Sequence, residues 1–232
     1  SCSMSEINLL EERLNDFKDY FDNKLDLGFE YLPVSMRPVK TSAEKNSACI
    51  IYSGYLAEWS GMLEFVKLFT ASRYRGFFEL RIQGHAMGTD YYLKALQEAA
   101  SGSGNIYTDN SYYNDEEHLQ LLAESNIGIA VYKVADNTPN WDNLLFSSGK
   151  IAAYLWTGCA VITNIKDELT ERPPFIYIKN LEDLVSLEQG LNTYLNNMEQ
   201  YHAEALVLAD KYYNLDKYAQ IIMNRLNSDN SE

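Results

Sequence analysis

An alternation of short apolar segments with segments of helical spacing constrains the fold of this chain more than any other feature. The apolar segments predict six strands, at residues 49–54, 77–84, 105–108, 127–132, 160–163 and 175–178. Helices are predicted between them, at 62–69, about 90–100, 116–124 and directly after Gly149. Strands that are apolar on both faces and separated by helices are typical of a parallel sheet covered on two sides. We therefore expect an α/β fold with a Rossmann-like doubly wound parallel sheet.

The two ends of the chain predict helices outside this sheet. Residues 6–23 have helical spacing, 29–35 predict a short extended piece, and 36–47 predict a polar linker. From 180 to about 226 the chain is predicted to be helical, with a break near Asn214. The predicted units are residues 1–47 (N-terminal helix and linker), 48–198 (the Rossmann-like domain) and 199–232 (C-terminal helices and tail).

The acidic composition disfavours some partner classes. The chain has 19 Lys and Arg against 33 Asp and Glu, a formal net charge of −14. Such an excess repels the phosphates of nucleic acids and anionic lipids, so no nucleic-acid partner is expected. A small anion can still bind where N–H groups and a lysine are concentrated in one place.

Cysteine usage and hydropathy indicate a cytoplasmic protein. No segment approaches the roughly 18 apolar residues that cross a bilayer, so no transmembrane segment is expected. The first residues lack the basic and then apolar pattern of a signal peptide. Cys2, Cys49 and Cys159 are widely spaced and lack metal-ligand spacing, so no metal site is expected. Cys49 and Cys159 begin apolar strand candidates, which predicts reduced thiols in the core.

The turn at residues 147–150 is the strongest candidate site. Ser147, Ser148 and Gly149 stand where a helix is predicted to begin, and a helix start offers unpaired N–H groups and the positive end of the helix dipole. Together with Lys150 they form a candidate phosphate site. The alternative is an ordinary serine N-cap on a helix that packs against the sheet.

Residues at the ends of neighbouring strands favour a ligand site. Gly54, Gly84 and Tyr132 are the last residues of predicted strands, and the 147–150 turn is expected at the same edge. Sheets of this class bind ligands at the carboxyl ends of their strands. The agreement raises the phosphate interpretation above the N-cap alternative.

The order of these segments resembles the C-terminal half of the GT-B glycosyltransferases. The matching segments are Gly54-Tyr-Leu leading to Gly61, Leu80-Arg-Ile-Gln-Gly84, Asn105-Ile-Tyr, 119–131 and Lys150 to Asn164. The likeness covers roughly residues 48–177, rests on order and spacing, and is greatest to glycosyltransferase family 4 and its relatives. In that family this half binds the nucleotide-sugar donor and the other half binds the acceptor. The resemblance implies a missing N-terminal acceptor domain, with 7–33 as its last helix and strand.

The resemblance also implies a diphosphate site. It places the donor diphosphate on Gly54 and the 147–150 turn, with Lys150 as the main catalytic cation. The family commonly has two cations where this chain has Tyr55 and Ser60, and two glutamates where it has Leu145 and Ala153. These departures indicate either a branch that has moved its cation to Lys150 or a homologue without activity.

Further site residues implied by the resemblance are weaker candidates. Tyr107 and Tyr113 correspond to the nucleotide base region, where a tyrosine face suits stacking, and Glu117 to a carboxylate that binds ribose. Candidates for contact with sugar or phosphate are Arg81, His85, Tyr132 and Asn143. For each, a structural role in the core, strand or helix start is the alternative.

The leading functional hypothesis is transfer of a sugar from a nucleotide diphosphate donor to an unknown acceptor, in bacterial polysaccharide or glycan assembly. The resemblance implies that the reaction requires no metal and no cofactor besides the donor, because N–H groups and cations stabilise the leaving diphosphate in GT-B sites. A noncatalytic nucleotide- or protein-binding module on the same fold is the alternative. An epimerase is less favoured, because this half has no acidic catalytic pair.

Overall fold

The computed structural model describes residues 33–39, 45, 48–85, 91–133 and 144–228 of the 232-residue chain. The helix predicted at 6–23 lies outside the described residues, and so does Asn143. The strands are β1 (Cys49–Ser53), β2 (Glu79–Gln83), β3 (Ile106–Asp109), β4 (Ile127–Ala130), β5 (Ala160–Thr163) and β6 (Phe175–Tyr177). The α-helices of the described ranges are α1 (Met62–Ala71), α2 (Tyr91–Ala100), α3 (Asp115–Ala123), α4 (Leu144–Ser147), α5 (Gly149–Trp156), α6 (Leu184–Asn196), α7 (Met198–Tyr212) and α8 (Leu215–Ser228).

The six strands form one parallel sheet in the order β3-β2-β1-β4-β5-β6. This is the order of a doubly wound Rossmann sheet, in which the strand order reverses between β1 and β4. The predicted fold class is therefore confirmed. Ligands of such sheets lie in the crevice at the carboxyl ends of the strands beside this reversal.

Alternate residues of each strand pack on opposite faces of the sheet. Ile50 and Tyr52 of β1 belong to a core cluster with α1, α2 and α6. Ile51 belongs to a second cluster, with α5 and α7. A period of two along a strand covered on both faces explains why its sequence is continuously apolar. Burial of each such side chain stabilises the fold by roughly 1.5–3 kcal/mol.

A close packing of α5 on β4 positions the candidate site. A Cβ on Gly128 of β4 would lie 2.3 Å from Cγ of Tyr154, so only glycine leaves room for that ring. The hydroxyl oxygen of Tyr154 accepts a hydrogen bond from the backbone N–H of Ser53 at 2.9 Å. The ring and its hydroxyl thus fix α5 against the carboxyl end of β1.

Strand β4 ends two residues before its predicted end at Tyr132. The side-chain amide of Asn164 replaces a neighbouring strand there: its Oδ1 accepts from Tyr132 N–H at 2.9 Å and its Nδ2 donates to Tyr132 O at 2.7 Å. The side chain of Asn164 therefore closes the backbone pairing and starts the loop that carries Tyr132.

The segment 33–39 packs beside the helices that follow the sheet. Val34 N–H donates to Phe146 O at 2.9 Å, and Met36 N–H donates to Tyr213 O at 3.0 Å. The predicted break near Asn214 lies between α7 and α8. The predicted division of the chain into units after residues 47 and 198 stays a prediction. Ala205 of α7 packs in the same buried cluster as residues of α5. Within the described ranges, no helix has the length and apolar character needed to cross a membrane.

Candidate functional site

A cavity of about 630 Å³ opens at the carboxyl edge of the sheet, beside the reversal of strand order. Its walls come from the segments that follow β1, β2, β3 and β4, from the start of α5 and from α3. The cavity therefore occupies the position at which this class of sheet binds its ligands.

The amine of Lys150 is buried in the wall of this cavity. No residue that the structure describes accepts a hydrogen bond from Nζ. Nζ lies 4.0 Å from the ring centroid of Tyr52 and 5.4 Å from that of Tyr132. Two aromatic faces stabilise a cation by up to about 2 kcal/mol each when water is excluded, less than the cost of burying an unpaired charge. Burial accordingly lowers the pKa of the Lys150 amine to about 7.

Gly54 brings the end of β1 into contact with that lysine. Its φ of +151° lies in the range that favours glycine, and an added Cβ would lie 3.1 Å from Cε of Lys150. Gly84, with φ of +155°, packs so closely that an added Cβ would overlap the carbonyl oxygen of Gly54. The two glycines leave a surface of bare backbone beside the amine.

The start of α5 presents its first turn to the same space. Ser148 is the N-cap residue, yet its side chain makes no cap hydrogen bond. Instead its Oγ lies 2.9 Å from the hydroxyl of Tyr132. The Ser148 hydroxyl therefore leaves the first N–H groups of the helix to a ligand or to water. Ser148, Gly149 and Lys150 line the cavity.

A second polar cluster lies at the end of β1 and was not predicted from the sequence. The Ser53 hydroxyl donates to Oε1 of Gln83 at 2.5 Å, and its oxygen lies 2.7 Å from Nε2 of His118 on α3. Burial lowers the pKa of His118, so its ring is neutral at pH 7. The position of Ser53 directly before Gly54 was a usable signal, whereas nothing in the sequence singled out His118.

Aromatic side chains surround the mouth of the cavity. Tyr55 is 60% exposed and Tyr112 is 85% exposed. Trp59 stacks on Tyr132 with ring centroids 6.5 Å apart, and His85 stacks on Tyr112 at the same distance. These rings give the entrance flat apolar faces, which suit bases and the apolar faces of sugars.

The structure brings together most of the residues predicted for the site. Those that line the cavity are Gly54, Ser148, Gly149, Lys150, Tyr113, His85 and Tyr132. The hydroxyl of Tyr113 donates to Oδ2 of Asp109 at 2.5 Å, which fixes its ring beside the opening. Asn143 lies outside the described residues.

Four predicted residues do not line the cavity. Ser147 is the last residue of α4. The exposed Tyr107 donates its hydroxyl hydrogen bond to Gly104 O at 3.0 Å. Glu117 forms a capping box with Asn114 at the start of α3, a structural role. Arg81 forms an ion pair with Glu79 on its own strand.

The positions at which the family carries charges are apolar or neutral here. Ser60 is buried and its hydroxyl donates to Ala57 O at 2.6 Å, while Tyr55 is exposed. Leu145 is buried in the core, and Ala153 lines the cavity. Among the described residues that line the cavity, Lys150 is the one lysine or arginine. Those ranges contain no group of three or more His, Cys, Asp or Glu that could hold a metal ion.

Comparisons with known proteins show the fold. No protein-family model and no curated protein sequence matches this chain. Among solved structures, it is similar to the pneumococcal O-GlcNAc transferase GtfA in complex with UDP and GlcNAc, with a TM-score of 0.60, 12% identity and coverage of 93% of this chain and 44% of GtfA. The C-terminal domain of LpcC, a glycosyl transferase group 1 family protein from Francisella tularensis, gives 0.55 at 14% identity, with coverage of 74% and 88%.

A third similar structure, like GtfA, is covered over less than half of its length. HepE from Anabaena, in complex with UDP, gives a TM-score of 0.59 at 13% identity, with coverage of 79% of this chain and 49% of HepE. The chain thus spans less than half the length of GtfA and HepE. It has the fold of the C-terminal half of a GT-B glycosyltransferase.

Proposed function

We propose that this chain binds a nucleoside diphosphate sugar and serves as the donor-binding half of a glycosyltransferase. The observation that carries the proposal is the amine of Lys150, which is buried in the cavity wall and has no acceptor among the described residues. Such an amine gains most when a ligand supplies negative charge. The UDP complexes of GtfA and HepE support a nucleotide ligand for this fold.

The diphosphate would lie between Gly54, the first turn of α5 and Lys150. The bare backbone of Gly54 permits close approach, and the N–H groups and dipole of α5 favour an anion. Negative charge builds up on the leaving diphosphate during sugar transfer, so N–H donors and the protonated amine stabilise that transition state more than the bound donor. Lys150 is thus the residue that we assign to catalysis.

An acceptor-binding domain would complete the site. The exposed rings of Tyr55, Trp59 and Tyr112 at the cavity mouth are suited to face that domain or the acceptor glycan. Glycan assembly in the cytoplasm is the setting that we propose, and the free buried thiols of Cys49 and Cys159 agree with a reducing compartment.

Calorimetric titration with UDP, GDP, ADP and their sugars tests the proposal. We expect one of these to bind, and Lys150→Met to weaken it by about 10- to 100-fold, the range for a hydrogen bond to a charged group. Lys133→Met is the matched control, because it is the same substitution at an exposed lysine. Nζ of Lys133 pairs with Oε1 of Glu64 at 2.9 Å, and Lys133 does not line the cavity. Absence of binding at millimolar nucleotide, or equal effects of the two substitutions, would refute the proposal.

A noncatalytic binding module is the second candidate. The neutral side chains of Tyr55, Ser60, Leu145 and Ala153 favour it, because they stand where the resemblance places charged residues. Incubation with the tightest-binding nucleotide sugar separates the two candidates. Release of the free nucleoside diphosphate by wild type and not by Lys150→Met, with the sugar transferred to an acceptor hydroxyl or to water, supports the transferase. Tight binding of the nucleotide sugar without release of nucleoside diphosphate, even when an acceptor-binding domain is added, supports the noncatalytic binding module.

A further inference from the structure

The hydrogen bonds around Ser53 determine which nitrogen of His118 carries a proton. Nε2 of Gln83 donates to the backbone oxygen of Ser111 at 3.2 Å, and that oxygen can only accept. The Gln83 amide is thereby oriented, so its Oε1 accepts the single proton of the Ser53 hydroxyl. The 2.7 Å contact between Ser53 Oγ and His118 Nε2 must then be donated by Nε2–H.

The other ring nitrogen of His118 is consequently a hydrogen-bond acceptor. Burial lowers the pKa of this histidine, so the ring is neutral at pH 7 and Nδ1 keeps its lone pair. No described residue donates a hydrogen bond to Nδ1. Nδ1 is also not fully buried. His118 lines the cavity. Its acceptor is therefore available to a ligand with a hydroxyl or N–H group.

His118 lines the cavity together with residues from both ends expected for a bound nucleotide, Lys150 for the diphosphate and Tyr113 for the base. On one side, its partner Ser53 directly precedes Gly54, which contacts Lys150, and adjacent Cα atoms are about 3.8 Å apart. On the other side, Tyr113 lies on the segment that leads from β3 into the helix of His118. The group that connects a base to a diphosphate is the ribose, which carries two hydroxyl donors.

We propose that Nδ1 of His118 accepts a hydrogen bond from a ribose hydroxyl of the donor nucleotide, and that His118 selects ribonucleotides at this site. The assignment rests on the proposed donor function. It gives α3 the recognition of the ribose, whereas Ala153 of α5, which also lines the cavity, offers no polar group.

Affinities for UDP and 2′,3′-dideoxy-UDP test this role by calorimetry, with the GDP and ADP pairs measured in parallel. We expect wild type to prefer the ribonucleotide by about five- to tenfold, the value of one hydrogen bond. His118→Phe should lower affinity for the ribonucleotide by that factor and leave the dideoxy affinity unchanged. His202→Phe is the matched control, because this half-buried histidine contacts the Tyr194 hydroxyl at 2.9 Å and does not line the cavity.

A second measurement does not depend on a substitution. In wild type, the 15N resonance of His118 Nδ1 should shift on addition of UDP and stay in place with dideoxy-UDP. Three results would overturn the ribose assignment alone. They are an equal loss of affinity for UDP and dideoxy-UDP in His118→Phe, an unchanged ratio of these two affinities, and an Nδ1 resonance that does not move with UDP. Failure of wild type to bind any ribonucleoside diphosphate would overturn the donor function together with it.

Discussion

The amine of Lys150 lies 4.0 Å from the centre of the Tyr52 ring and has no acceptor among the described residues. The ring of Tyr52 belongs to the core cluster of β1, whereas Lys150 belongs to the first turn of α5. The side chain of Lys150 therefore reaches from the start of α5 to β1, beside the reversal of strand order, and its amine is buried there without an acceptor. Burial of this unpaired amine costs stability in the free protein.

Lys150→Met should stabilise the free protein. Methionine fills similar space against Tyr52 without a charge to bury, so we expect the free energy of unfolding to rise by a few kcal/mol at pH 6. Folding lowers the pKa of the Lys150 amine from 10.5 to about 7. The cost of burying the protonated amine is therefore full below pH 7, falls between pH 7 and 10.5, and is absent above pH 10.5. The gain should therefore shrink as the pH rises from 7 to 10. Urea unfolding of both proteins across this range measures it, and a constant or negative difference would contradict the account.

Donor binding should take up a proton. A diphosphate beside Lys150 raises the pKa of the amine above its free value of about 7, while the neighbouring Tyr132, whose pKa burial raises to about 12, stays neutral. Affinity for UDP-glucose, whose phosphates do not titrate here, should fall by up to about tenfold per unit between about pH 7 and 8.5. Calorimetry in buffers of different ionisation enthalpy detects the proton. Lys150→Met should abolish both effects, and a pH-independent wild type would exclude this coupling.

Gly54→Ala should damage both stability and binding. An alanine there meets a strained φ of +151° and a contact of 3.1 Å with Lys150, so we expect a loss of about 1–3 kcal/mol. The displaced lysine should also weaken nucleotide binding. Gly76→Ala is the control, because an added Cβ at Gly76 meets nothing within 4 Å. Chemical denaturation and nucleotide titration measure the two effects, and similar results for both variants would argue against the close contact.

The sheet was predictable from the sequence because strands covered on both faces leave a strong apolar pattern. Gly54 and Lys150 were predictable for a related reason, since both follow the strand and turn pattern that places residues at the carboxyl edge. Tyr52 as a partner of Lys150 was not, because the sequence identifies Tyr52 only as a core residue. The ribose contact that we propose for His118 depends on the orientation of the Gln83 amide, which only the hydrogen bonds specify.

Three weaker predictions depended on side-chain direction, which spacing alone does not specify. Arg81 lies next to the predicted edge in sequence, yet it turns to Glu79. Glu117 turns back to the N-cap of its own helix, and the Tyr107 hydroxyl turns to Gly104. Local partners within four residues account for all three directions.

The most direct test is a crystal structure of the chain with bound UDP. We predict diphosphate oxygens about 2.8 Å from Nζ of Lys150 and from the N–H groups that begin α5, with Gly54 in contact with the phosphates. UDP bound with its diphosphate away from Lys150, and the amine still against Tyr52, would contradict the account.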